Sequence, residues 1–207
     1  MELLPVDEAS EDPSFLAFRD SLTTALEVND TTFVFGRTQE DVFNGFGGDG
    51  GIDELREFYW GEDFRLDLLT TLNLGGRFSP ADELGDGVAA QFVAPYTYDY
   101  PPTPDDWPDA FDWYFETSAV VVVPTEVVGA PGGEVLATLG HSIVIRSDWW
   151  PAVNPDGLQE PVWSEVRLAG GRVGYALAEN LRGGSDFRAF FEKHDGAWVF
   201  TGWAAGD

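Results

Sequence analysis

The side chains that could do acid–base or metal chemistry are few in kind, and one kind is very abundant. His141 and His194 are the only histidines, and the chain has no cysteine. Thiolate nucleophiles, disulfides and cysteine-held metals are therefore excluded. His141 stands beside Ser142, a base next to a hydroxyl. Neighbours on an extended chain point to opposite faces, however, which places the imidazole badly for taking that proton. A zinc site would need His141 and His194 to converge with carboxylates. Both histidines lie at turn signals, Gly140-His141-Ser142 and His194-Asp195-Gly196, where an ordinary turn or surface role is expected.

Carboxylates number 37 against 11 basic residues, for a formal net charge of -26, and Lys193 is the only lysine. With so many acids, abundance selects no pair for a two-acid mechanism, which needs a set separation and one raised pKa. Asp112 and Glu116, close to Tyr96, Tyr98 and Tyr100, are the natural candidates for a hydrolytic cleft. A glycine-rich run, residues 43–51, has the flexibility to cradle a phosphate, but Ile52-Asp53-Glu54 puts carboxylates where the anion would sit. Asp49, Asp53 and Glu54 could hold calcium, though their spacing is not that of the twelve-residue calcium loop. No catalytic residue, metal site or cofactor is assigned on these grounds, and the chain is expected not to be an enzyme.

An acidic opening, residues 1–13, reads as a flexible arm. Asp12-Pro13 is a helix start, since aspartate caps free N–H groups and proline fits the first turn. Phe15, Phe18, Leu22, Ala25 and Leu26 then recur at helical spacing up to Asn29-Asp30. Residues 31–35 have the content of a short strand or a buried loop. Helices are predicted over 52–60 and 64–74, the second ended by Gly75-Gly76. The proline- and ring-rich tract that follows, to residue 116, reads as a wrapping connection.

From Val120 the pattern changes to short strands broken by glycine and proline. In residues 163–168 alternation sends Val166 and Leu168 to one face and Trp163, Glu165 and Arg167 to the other, and Gly170-Gly171 reverses the chain. Gly174 suits a point of close backbone approach. Residues 187–203 read as a final hairpin turning at His194-Asp195-Gly196, with Phe187, Ala189 and Phe191 on one strand and Trp198, Phe200 and Gly202 on the other. So apolar a hairpin must pack on the barrel or on the N-terminal half.

Charge divides the chain in the same region. Residues 1–116 hold 26 acids and five bases, whereas residues 117–184 hold seven acids and four arginines. Nucleic acid and anionic membrane are excluded as partners, because both need neutralising basic groups. A salty medium, a cationic partner or divalent ions suit the field. No apolar run reaches the roughly 20 residues of a membrane span.

The strand region resembles the bacterial SH3-like domain family. The match is carried over residues 118–184 by Gly133-Glu134-Val135-Leu136-Ala137-Thr138-Leu139, Ile143-Val144-Ile145, Trp163, Val166, Gly174-Tyr175 and Leu181. Over most of its length the chain is similar to a group of bacterial proteins, often exported, that carry such a domain behind a mainly helical N-terminal part. The resemblance implies an α+β chain: an arm (1–13), a mainly helical domain with its aromatic connection (14–116), an SH3-like β-barrel (117–184) and an added hairpin (185–207). It implies a non-enzymatic recognition or structural protein of the cell envelope, periplasmic or extracellular, whose partner is a protein or cell-wall peptide; the sequence itself leaves the oligomeric state open, a monomer being one expectation. By that resemblance Tyr175 takes the groove position, while Asn180 stands where the family often has an aromatic. Trp149, Trp150, Trp163 and Tyr175 are the candidate contact surface, with Trp149 and Trp150 on an insertion spanning 149–161. Two alternatives remain open: a hydrolase with an acidic cleft between the halves, and a calcium-dependent surface protein.

Overall fold

The computed structural model describes residues 1–45, 50–146, 162–168 and 170–205. In chain order its helices are α1 (Pro13–Glu27), α2 (Thr31–Gly36), α3 (Gly51–Glu54), which runs into a π-helical turn at Leu55–Tyr59, and α4 (Glu62–Asn73). Its strands are β1 (Thr38–Asn44), β2 (Arg77–Phe78), β3 (Ala90–Ala94), β4 (Thr117–Val120), β5 (Thr125–Val128), β6 (Val135–Leu139), β7 (Ile143–Arg146), β8 (Trp163–Arg167), β9 (Val173–Leu177), β10 (Leu181–Gly183), β11 (Arg188–His194) and β12 (Ala197–Ala204). The chain is α+β and divides into two compact units. One joins Val6–Tyr98 to Asp186–Asp207; the other joins Met1–Pro5 to Asp99–Ser185. Among the described residues no helix is long and apolar enough to cross a membrane.

The first unit is a five-stranded sheet, ordered β1-β12-β11-β3-β2, with helices on one face. The side chain of Asp12 accepts from the backbone N–H of Ser14 and Phe15 and so starts α1, which buries Phe15, Phe18, Leu22, Ala25 and Leu26, the stripe its spacing predicts. Asp30 caps α2 through the Phe33 N–H. That cap turns residues 31–35 into helix rather than strand or loop, since it satisfies a donor that an extended chain would leave for a neighbour. Phe15 centres the core: its ring lies 4.2 Å from Phe92, 4.8 Å from Trp198 and 5.8 Å from Phe191. Each such buried ring contributes about 1.5–3 kcal/mol relative to exposure.

Several expectations for this unit are corrected. Residues 6–13 are not a free arm: Ala9 is fully buried, the Glu8 carboxylate accepts from the Phe78 N–H at 2.8 Å, and Asp7 pairs with Arg19 at 2.8 Å. The part read as mainly helical also carries β1, β2 and β3. The stretch 90–94, read as connection, is a sheet strand, with Phe92 and Ala94 buried in the core. The terminal hairpin, expected to pack on the barrel or on the N-terminal half, is part of this sheet. β11 lies between β12 and β3, and β12 runs parallel to β1, so the last strands form the middle of the sheet. Gly202 does not share a face with Phe200. A bulge at Thr201 pairs Phe190 with Gly202 and Phe191 with Phe200, and the extra residue brings Trp203 inward beside Phe200.

The second unit is a seven-stranded antiparallel sheet ordered β10-β4-β7-β8-β9-β5-β6. Its interior is small and aliphatic, formed by Val120, Val127, Val144, Val166, Ala176 and Leu181. Pairing between the edge strands β10 and β6 is absent among the described residues. β4 ends at Val120, so that Val122 and Val123 are exposed, and the chain re-enters the sheet as β5. The aromatic tract from Asp99 onward belongs to this unit. Trp113 is buried, donates through Nε1 to the Pro101 carbonyl at 2.8 Å and meets Trp107 edge-on at 4.6 Å.

Candidate functional site

Strands β8 and β9 position the two predicted contact residues that fall in the described chain. Their register pairs Trp163 with Leu177, Glu165 with Tyr175 and Arg167 with Val173. Because strand side chains alternate, these six share one face, and Trp163 and Tyr175 are diagonal neighbours on it, within reach of one another's bodies. The alternate residues Ser164, Val166 and Ala176 are fully buried. Trp163 and Tyr175 are each half-buried. The Arg167 guanidinium continues the face, 5.3 Å from the centre of the Phe111 ring. A surface of two rings and a cation over a closed aliphatic layer can hold an extended ligand by area at small entropic cost. Trp149 and Trp150 lie outside the described residues.

The groups that suggested catalysis are each engaged in local structure. His141 Nδ1 lies 3.2 Å from the Val120 carbonyl, and Ser142 Oγ donates to the Gly140 carbonyl at 3.1 Å, so the base and the hydroxyl each face backbone. His194 Nε2 lies 2.9 Å from a Glu192 carboxylate oxygen. The Asp112 carboxylate accepts from the N–H groups of Tyr114 and Phe115, and Glu116 accepts from the Asp112 N–H. Both acids thus cap a turn. The three tyrosines do not form one wall: Tyr96 is buried, and burial pushes its phenol pKa up, whereas Tyr98 is exposed. Of the calcium candidates, Asp49 lies outside the described residues. Among the described residues no three His, Asp or Glu side chains are grouped as a metal site.

The first unit holds a concavity of about 700 Å³ on the face of its sheet opposite the helices, lined among others by Arg188, Phe190, Glu192, Gln91, Phe43 and Tyr98. Sequence reasoning did not find it. Its walls come from β1, β3, β11 and β12, which meet only once the hairpin is placed mid-sheet, and the alternation of Arg188, Phe190 and Glu192 was its one legible trace. No family model matches the chain, and neither a curated protein nor a solved structure matches it.

Proposed function

We propose that the second unit is an SH3-like barrel and that the chain is a non-enzymatic recognition protein of the bacterial cell envelope, periplasmic or extracellular, binding a peptide or cell-wall fragment across the β8–β9 face. The observation that carries this reading is the register of β8 on β9, which sets Trp163 and Tyr175 diagonally on one face while Val166 and Ala176 close the layer beneath. Rigid aromatic anchors of this kind supply most of the energy in compact recognition surfaces. Arg167 beside them favours ligands with acceptor groups, as peptide carbonyls and carboxylates are. Trp149 and Trp150 join the proposed surface on the strength of the sequence alone.

The test is titration of the full chain, followed by tryptophan fluorescence, with a muropeptide and separately with a proline-rich peptide. Saturable binding of either is expected, weakened at least about tenfold in W163A and in Y175A with melting behaviour near that of the parent. Failure of both ligands to bind at millimolar concentration would overturn the reading.

A further inference from the structure

We propose that the concavity on the open face of the five-stranded sheet binds a small organic carboxylate that carries an apolar body. This site lies within the first unit and is independent of the β8–β9 face. Alternation along β11 sends Ala189 and Phe191 into the core and Arg188, Phe190 and Glu192 to the open face. Arg188 is only 8% exposed, yet its Nε has no hydrogen-bond partner, and among the described residues no carboxylate pairs with it. Its one described contact is the Tyr98 ring, with the guanidinium carbon 5.3 Å from the ring centre.

Guanidinium stays charged at any physiological pH, and a buried charge is ordinarily paired. With 37 acids in the chain and 11 bases, the lack of a partner does not come from a shortage of carboxylates. The unpaired guanidinium lines a cavity. Gln39 Oε1, also lining the cavity, is a second buried polar atom with no partner.

The other end of the cavity is already satisfied. Glu192 accepts from Gln91 Nε2 at 2.9 Å and meets His194 at 2.9 Å, and Gln91 Oε1 accepts from Ser79 Oγ at 2.7 Å. Glu192 stands four residues from Arg188 on one strand, about 13 Å away by strand rise. A ligand anion therefore belongs at the Arg188 end. Phe190 lies between the two charges, and Phe43, 45% exposed, offers a second apolar wall. A planar carboxylate matches the guanidinium fork in bidentate fashion. One arginine, with Glu192 in the same cavity, favours a monoanion over phosphate.

The experiment is calorimetric titration of the full chain with phenylacetate, 2-phenylacetamide, acetate and inorganic phosphate. Phenylacetate is expected to bind saturably, with the other three at least about tenfold weaker. In R188M, phenylacetate affinity should fall by at least the same factor with the circular dichroism unchanged, and W163A should bind it as the parent does. Should R188M not fold, R188K decides, because it keeps the charge and loses the fork: several-fold weaker binding is expected. Absence of phenylacetate binding at millimolar concentration, equal binding of the amide, preference for phosphate, or undiminished affinity in the folded Arg188 variant would each overturn the proposal.

Discussion

Asp12 and Lys193 are separated by 181 residues in sequence and joined by an ion pair of 2.8 Å. The pair fastens the first turn of α1 to β11. Lys193 Nζ also donates to Ser14 Oγ at 2.8 Å and lies 5.6 Å from the centre of the Trp198 ring, whose Nε1 donates to the same hydroxyl at 3.1 Å. One carboxylate thus caps a helix and, through the only lysine of the chain, ties that helix to the sheet.

The Lys193 hydrogen bond, helped by Ser14, holds the Asp12 carboxyl well below the usual carboxylate range. Its pKa is lowered on folding, so its contribution to stability is full above the unfolded value, about 3.9, and is lost as pH falls through the folded one. Asparagine caps as well as aspartate, so D12N removes the charge alone and should cost about 1 kcal/mol at pH 6, the pair being partly exposed. D12A should cost about 1 kcal/mol more through the lost cap. Denaturant midpoints measured from pH 6 to pH 2 should show the difference between parent and D12N shrinking below about pH 4. A gap that stays constant over that range would rule out the ionised pair as its source.

Gly174 is a point of close approach in the second unit. A Cβ there would lie 2.6 Å from Val127 Cγ1 and 2.9 Å from the Val128 carbonyl oxygen. G174A should therefore destabilise by about 1–3 kcal/mol, the usual effect of overpacking. Gly140 meets nothing within 4 Å and has no positive φ, so G140A should stay within about 0.5 kcal/mol of the parent. Thermal melts of the two variants check the contrast, and equal melting would show that β9 can move away from β5 freely.

What the sequence made legible follows from how far each signal reaches. The α1 stripe was readable because the Asp12 cap and five apolar residues repeat one period within a single element. The inward face of Val166 and Leu168 was readable because both alternate within one short strand beside a tight reversal. β1 was not, because of its two inward residues near the end, Val42 and Asn44, one is polar: Asn44 is fully buried and donates to the Gly51 carbonyl at 2.8 Å. β3 was hidden by the prolines just beyond it. The hairpin announced that it must be covered, but alternation within a strand says nothing of which strands lie beside it. For the same reason the Arg188 cavity could not be seen: the terminal hairpin meets β1 and β3, which lie far earlier in the chain, only through the sheet order.

The bulge at Thr201 gives the sharpest test of that sheet. Phe200 and Trp203 both face the core, Phe200 against Phe191 at 5.5 Å and Trp203 stacked on Phe187 at 5.1 Å. Three positions apart, they could not share a face in a regular strand, and Thr201 is the extra residue that allows it. Deleting Thr201 would leave Phe200, Gly202 and Trp203 in ordinary alternation, with both rings still inward. The loss would be the bulge and the Thr201 hydroxyl's bond to the Phe190 carbonyl at 3.3 Å, a cost of about 1–2 kcal/mol. Deleting Val199 instead breaks the regular pairing of Val199 with Glu192 and Trp198 with Lys193. It turns Phe200 and Trp203, or else Trp198, away from the core, which should cost more than about 4 kcal/mol, since one lost core aromatic costs about 3–5 kcal/mol. Circular dichroism and urea midpoints should show the Thr201 deletion folded and the Val199 deletion not. The reverse order would mean that the rings are held inward by something other than the bulge.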